Sequence, residues 1–343
     1  MTAVRWGIVG TGAIARLFAS DLRFALGAQL VAVGSRDIAR ARVFADSFDV
    51  SRAYGSYRAL IDDAEVDVVY IATPNSQHHG LAIAALEAGK AVLCEKPFTL
   101  NAHEAREVVQ VARRTGRFCM EAMWMRFAPA VRELQGRIGR GEIGPVRHVR
   151  ASLGFDVTFD PNHRIFDPTL GGGALLDLGV YAVSLCCALL GAPQQLTSHA
   201  TLGETGVDEH VTMELSYANG VTASIETSVR MRLLNDAVVT GTQGQLSLSA
   251  PLYFPQAVSF SPKTERAAVD VTRPQKLLRT MAGLARSAAA KLQAPVKGSG
   301  YQYEAAEVMR SLAAGRSESE LMSLDASVQV METMDAARAA WTR

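Results

Sequence analysis

The stretch VRWGIVGTGAIARLF (residues 4–18) decides the fold. Its first half is a short, nearly continuous apolar run, as in a β-strand covered on both faces, and its second half has helical spacing. Between them stand Gly10, Gly12 and Ala15 in the pattern G-x-G-x-x-A. One glycine permits a tight turn, the next leaves room for a close approach, and a small residue lets helix lie against strand. The alternation continues outward. QLVAVGS (29–35), VDVVYIAT (66–73), KAVLCE (90–95) and RFCME (117–121) read as strands, with helices over 13–26, 37–48, 76–88 and 102–115. Asn101, with Glu104 three residues on, gives the last helix a capping-box start. Short apolar strands separated by helices predict an α/β unit built on a doubly wound parallel sheet.

Beyond residue 123 the period changes. VRHVRASLGF (146–155), EHVTMELSYANGVTASIETSV (209–229) and DAVVTGTQGQLSLSA (236–250) alternate apolar with polar residues and turn at Asn219-Gly220 and Gly244. That is the pattern of an antiparallel sheet with one face open to solvent or a partner. At 343 residues the chain is long enough for two domains, expected over 1–123 and 124–343. A net charge of +1 gives no reason to expect nucleic acid or an anionic membrane as partner. Cys94, Cys119, Cys186 and Cys187 form no CxxC pair, so reduced thiols and a cytoplasmic protein are expected. The apolar run Leu178–Ala192 is too short to span a bilayer, which takes roughly 20 residues. Residues 274–293 read as a basic amphipathic helix with an apolar stripe of Leu277, Met281, Leu284, Ala288 and Leu292, packed on its own domain.

The glycine turn between strand and helix is the dinucleotide fingerprint of a Rossmann domain, with the backbone N–H groups of Thr11, Gly12, Ala13 and Ile14 available to a pyrophosphate. An acidic residue at the end of the second strand would bind a ribose diol; here stand Ser35 and Arg36, with Arg40 a turn later. A hydroxyl and guanidinium groups suit a 2′-phosphate, so NADP is favoured over NAD. Asp37 stands one place late and is expected to cap the next helix. Two further clusters end strands at the carboxyl edge, where open α/β sheets bind ligands. They are Thr73-Pro74-Asn75, leading to His78, and Glu95-Lys96-Pro97. No cluster has metal-ligand spacing.

GGGALLDLGVY (171–181) puts a carboxylate, Asp177, and a phenol, Tyr181, one helical turn apart in an otherwise apolar segment. Together with the fingerprint, TPNxxH, EKP and GGGxLxDxGxY, the chain resembles the glucose–fructose oxidoreductase/inositol dehydrogenase/MocA family. EAMWMRFAPAV and GEIGPVRHVRASLGF are similar to its branch of dimeric trans-dihydrodiol dehydrogenases and NADP-dependent D-xylose 1-dehydrogenases. The resemblance implies a Rossmann domain followed by an α/β domain with a large open, mostly antiparallel sheet, whose outer face makes a homodimer or homotetramer. It also implies that Lys96 and Tyr181 serve the proton transfer, with Asp177 between them.

A phenol with a reference pKa of about 10 is a poor base at neutral pH unless a cation such as Lys96 lowers it. The glycines are expected to let the chain pass close to cofactor or substrate. Asp177 could orient Lys96 or hold a substrate hydroxyl. Secondary substrate candidates are Trp124, whose face suits a sugar or diol ring, together with Arg126, Arg147, Phe155, Asp156, His163 and Arg164. The expectation is a dehydrogenase acting on a hydroxyl carbon of a small neutral polyol, an aldose first and a trans-dihydrodiol next. A sugar 3-ketoreductase acting on a nucleotide-linked sugar and a non-catalytic nucleotide-sensing regulator are the alternatives on this fold.

Overall fold

The computed structural model describes residues 3–263, 292–293 and 298–341. Its first sheet holds β1 (Val4–Val9), β2 (Ala28–Gly34), β3 (Arg52–Tyr54), β4 (Val68–Ile71), β5 (Ala91–Glu95) and β6 (Cys119–Ala122) in the order β3-β2-β1-β4-β5-β6. Every neighbouring pair is parallel. The order reverses at β1/β4, which opens a crevice at the carboxyl ends of those strands. Helices α1 (Ala13–Leu22), α2 (Ile38–Phe48), α4 (His78–Glu87) and α5 (Ala102–Thr115) cover the sheet. All of β4 and β5 is buried, which is why those strands read as unbroken apolar runs. Phe18 of α1 stacks on Tyr70 at 3.7 Å and tilts against Trp6 at 5.5 Å. Asn101 caps α5 by accepting from the Glu104 N–H at 2.9 Å, and Asp37 caps α2 by accepting from Ala39 at 2.8 Å. Two short elements left no clear period in the sequence: β3, half-buried throughout, and α3 (Tyr57–Ile61).

The second sheet holds β7 (Val146–Gly154), β8 (Gln195–Leu202), β9 (Asp208–Ser216), β10 (Thr222–Ser228), β11 (Ala237–Gly241), β12 (Gly244–Leu248), β13 (Ala257–Pro262) and β14 (Leu292–Gln293). Their order is β14-β13-β12-β11-β7-β10-β9-β8. All pairs are antiparallel except β7 with β10, whose strands are joined by a long connection that includes α7 (Val180–Leu190). Val149, Ala151, Leu153, Val211, Met213, Ala223 and Ile225 are buried on the inner face, while His148, Arg150, Ser224 and Glu226 alternate outward. Asn219 and Gly220 turn the β9–β10 hairpin with positive φ of 62° and 72°.

The segment Pro168–Leu190 is apolar and long enough to cross a bilayer by composition, and 83% of its most apolar window is buried within this fold. The helix expected at 274–293 falls, up to residue 291, outside the described residues. Leu292–Gln293, which close that reading, pair instead with β13 as β14. The helix Leu324–Ala339 packs on both α5 and α7, and Asp335 accepts from the Ala102 N–H at 2.8 Å. The first sheet's helical layer is thereby tied to the second sheet's.

Candidate active site

At the carboxyl end of β1, Gly10 adopts φ +109°, and a Cβ there would run into the carbonyl oxygen of Ala72. The turn therefore requires glycine for reasons internal to the protein. Gly12 differs: nothing lies within 4 Å of the place its Cβ would occupy, and no side chain caps α1. Open space above an uncapped helix start fits a pyrophosphate. Beside it is a pocket of about 380 Å³ lined by Thr11, Gly12, Arg16, Ala39, Arg40 and Val43. Ala13 begins α1 and the Ile14 side chain is exposed. Ser35 is buried at the end of β2, where its hydroxyl accepts from the Asp37 N–H at 3.3 Å. Arg36 is exposed, and Arg40 is exposed with its Nε 3.7 Å from Asp37. Arg16, over the Phe44 ring at 5.3 Å, was not singled out by sequence reading, since an arginine in a helix's first turns carries no motif of its own.

Lys96 follows β5 at the carboxyl edge. Its Nζ donates to the Asp177 carbonyl oxygen at 2.8 Å, stands 3.4 Å from the Asp177 carboxylate, and lies 4.9 Å from the centre of the Tyr181 ring. Asp177 also accepts from Arg164 Nη1 at 2.9 Å. Burial by itself would raise the Asp177 carboxyl, but Lys96 and Arg164 outweigh it and hold the group at about 2. Burial would lower the Lys96 ammonium, yet Asp177, Tyr181 and Glu95 keep it above its ordinary value. The Tyr181 hydroxyl goes the other way from the sequence expectation. Burial pushes it up to about 12, against the opposing pull of Lys96 and of a hydrogen bond donated by Trp124 Nε1 at 3.0 Å. Residues 175–179 form a π turn rather than an α turn, with Val180 N–H reaching back to the Leu175 carbonyl; such turns are frequent at functional sites.

The glycines before this turn are already required by the protein's own contacts. A Cβ on Gly171 (φ +76°) would meet Leu100 and Asn75, and one on Gly173 (φ +111°) would meet the Asp208 carboxylate. On Gly172 it would sit 2.6 Å from the Ile165 carbonyl oxygen. Asn75 Nδ2 donates to the Gly171 carbonyl at 2.9 Å, and Asp208 accepts from the Leu175 N–H at 2.6 Å.

Several residues expected at the ligand are engaged elsewhere. His78 is fully buried, its Nδ1 2.8 Å from the Pro97 carbonyl and its Nε2 3.1 Å from that of Thr73. It ties the loop Thr73-Pro74 to the loop after Lys96. Burial lowers its pKa, against the opposing pull of the two carbonyl oxygens. The Glu95 carboxylate turns inward to the Tyr70 hydroxyl and the Lys96 N–H. Arg126 is buried, donating to Ser184 Oγ and O, both at 2.9 Å. Arg147 is exposed at the start of β7, roughly 23 Å along the strand from Gly154, the end that leads to the cleft.

Trp124 offers no free face for stacking: its indole lies 4.4 Å from the Tyr301 ring and 4.9 Å from that of Phe254, nearly parallel to both. His163 is exposed and accepts from the Ile165 N–H, and Asp156 is exposed in a β-bridge with Arg230. Phe155 is half-buried, 6.2 Å from Tyr253. Tyr253, also half-buried, lies 6.1 Å from Tyr181 and was missed by the sequence reading, since the run PLYFP around it carries no motif.

Residues 4–123 match the family model described as oxidoreductase family, NAD-binding Rossmann fold, and residues 131–247 match the GFO/IDH/MocA C-terminal domain. Among curated proteins, the trans-1,2-dihydrobenzene-1,2-diol dehydrogenase of Bos taurus is 43% identical over 74% of this chain and 76% of its own length. The protein of the same name from Xenopus tropicalis is 32% identical over 98% of this chain and 97% of its own. Among solved structures, an NAD binding oxidoreductase from Klebsiella pneumoniae superposes with a TM-score of 0.83 at 25% identity, covering 99% of this chain and 97% of that one. A 3-ketoreductase from Actinomadura kijaniata, solved with NADP and TDP-benzene, shares the fold at 24% identity and a TM-score of 0.83, over 99% and 98% of the two chains.

Proposed function

The chain belongs to the GFO/IDH/MocA oxidoreductase family and is an enzyme acting on CH–OH groups; from that premise we propose that it is an NADP-dependent dehydrogenase of a small neutral vicinal diol, a trans-dihydrodiol ahead of an aldose. The observation that carries the reading is the cluster Lys96, Asp177, Tyr181 and Trp124 at the carboxyl edge of β5. The ring of Tyr253 beside Tyr181, with Phe155 next to Tyr253, favours a ring-bearing diol over a fully hydroxylated sugar. The name of the relatives at 43% identity points the same way.

The backbone at Gly12 and the start of α1 would hold the dinucleotide's pyrophosphate, and Ser35, Arg36 and Arg40 its 2′-phosphate. When bound, the nicotinamide supplies hydride acceptance from the carbon that bears the hydroxyl. The chain's own residues handle the proton. In oxidation Tyr181 Oη takes it as the phenolate, having first released its own proton to solvent through the cleft. In reduction it returns it as the neutral phenol, the form that its pKa of about 12 favours in the free site. Lys96, kept charged by Asp177, lies over the phenol ring and stabilises the phenolate. Asp177, ionised at neutral pH, holds Lys96 and Arg164 in place.

The test is a panel of trans-dihydrodiols, aldoses and cyclic polyols, each with NADP and with NAD, followed by the absorbance of the reduced nicotinamide. Highest kcat/KM for a trans-dihydrodiol with NADP is expected. Turnover of aldoses alone would replace the substrate assignment, and no turnover of any CH–OH compound would sink the reading.

A further inference from the structure

We infer that Trp124 is the positioning residue of Tyr181: its indole N–H fixes the phenol oxygen and turns the phenol's own proton away from the indole and into the cleft. The inference rests on the reading of Tyr181 as the proton-transfer group, but its geometry does not. An indole N–H only donates, so the 3.0 Å contact runs from Trp124 Nε1 to Tyr181 Oη in every protonation state. The phenol hydrogen cannot occupy the same line. It points to another acceptor, and the substrate oxygen is the partner that the proposed reaction brings.

The donor is held rigidly. Trp124 begins the 3-10 turn Trp124–Phe127 that follows β6, is 7% exposed, and lies between Tyr301 at 4.4 Å (6° between planes) and Phe254 at 4.9 Å (12°). An N–H fixed in advance costs little reorganisation when charge develops on its acceptor. A phenolate accepts a charge-assisted bond, stronger than the one a neutral phenol accepts. Trp124 therefore favours the deprotonated form by a bond to the oxygen itself, while the Lys96 ammonium lies over the ring face at 4.9 Å. The division of labour differs from the one the sequence suggests: Lys96 supplies the charge, Trp124 supplies the direct bond to oxygen.

The other charged or titratable groups around the phenol are Glu95 on β5, Arg164 on the loop after β7, Asp177 on the phenol's own segment, and Tyr253 and Tyr301 on the aromatic side. None of them donates a hydrogen bond to Oη among the described residues. Trp124→Phe removes the donor and keeps a ring in the stack, leaving all of these in place.

The experiment uses the full chain, wild type and Trp124→Phe, with tyrosine labelled at Cζ by 13C and the Tyr181 signal assigned by its loss in Tyr181→Phe. The signal should shift in Trp124→Phe at constant pH, because the phenol oxygen loses its donor. In steady-state kinetics with a turned-over diol, kcat should fall about tenfold with KM within about threefold. In the Tyr181→Phe background the same change should cost nothing further.

An unmoved 13C signal in Trp124→Phe, or an equal loss of kcat in the Tyr181→Phe background, would overturn the inference and mark Trp124 as packing alone. If Trp124→Phe does not fold, benzothienylalanine at position 124, which replaces the N–H by sulfur and keeps the ring shape, carries the same test. Full activity of Tyr181→Phe would instead remove the proposed role of Tyr181, while the 13C shift would still report the bond from Trp124.

Discussion

Lys96 Nζ donates to the backbone carbonyl oxygen of Asp177 at 2.8 Å, joining residues 81 apart in sequence. That bond links the carboxyl edge of the parallel sheet to the π turn before α7, so the ammonium's place depends on both layers at once. A carbonyl partner also keeps the amine protonated: a neutral, deprotonated amine would give up a charge-assisted bond. Lys96 is accordingly a fixed charge beside the phenol and not a group that gains and loses the transferred proton.

Lys96→Met should lower kcat by about 100-fold or more, the usual scale of an acid–base contribution. It should leave dinucleotide binding within a few-fold, since the cradle at Gly12 is a separate part of the crevice. Steady-state rates and fluorescence titration with reduced dinucleotide measure the two effects. Loss of binding with little loss of kcat would make Lys96 a cofactor anchor.

Tyr181→Phe should abolish most turnover and also lower stability, because the change leaves the Trp124 indole N–H buried without its partner. The expected loss is about 1–3 kcal/mol by urea unfolding, the cost of an orphaned donor. From the sequence, with the hydroxyl taken as open to the cleft, the loss would be within about 0.5 kcal/mol. A melting temperature equal to the wild type would show the indole finding another acceptor.

Glu121 on β6 is fully buried, and burial pushes its carboxyl up to about 7. A folded-state pKa above the unfolded value of about 4.5 means the folded protein keeps a proton that the unfolded chain releases. This contribution is full below the unfolded value and is lost as pH rises from about 4.5 to about 7. The slope approaches 1.4 kcal/mol per pH unit within that window. Asp208, raised by burial to about 6, adds a smaller loss at lower pH. Glu121→Gln should therefore gain stability relative to wild type between pH 5 and pH 7.5 in urea unfolding. A difference independent of pH would mean that the carboxyl titrates normally.

The parallel sheet was legible because its strands are buried on both faces and its turns need particular residues. Gly10 and the pair Asn219-Gly220 could be read one by one. Alternation revealed the second sheet's one-sided strands, but not the parallel pairing of β7 with β10, which depends on a connection no local pattern encodes. Motif spacing found Lys96, Asp177 and Tyr181. It could not say that His78 and Asn75 hold loops together, that the glycines at 171–173 make room for Leu100, carbonyl oxygens and Asp208, or that both faces of Trp124 are covered. A motif gives the type of residue, and only the fold says which neighbour uses it. Tyr253 went unnoticed for the same reason.

Cofactor choice is where one short stretch makes the most specific claim. No carboxylate stands at the end of β2 to accept from a ribose diol. Ser35 is buried there, Asp37 is turned to capping α2, and Arg36 is exposed with no ion pair among the described residues. Arg16 and Arg40 line the pocket beside Gly12. Positive charge and the N-terminal turn of α2 favour a 2′-phosphate. A charge-assisted bond is worth roughly 1.5–3 kcal/mol, so NADP should exceed NAD in kcat/KM by about tenfold or more. Arg36→Ala should remove most of that advantage by slowing the NADP reaction while leaving NAD nearly unchanged. Adding Ser35→Asp should reverse the order, since the new carboxylate repels phosphate and accepts from the diol. Because Arg36 and Arg40 are exposed, the preference should also shrink between low salt and about 0.5 M salt. Equal kcat/KM for the two dinucleotides in the unaltered protein would show that the arginines face solvent and take no part in the choice.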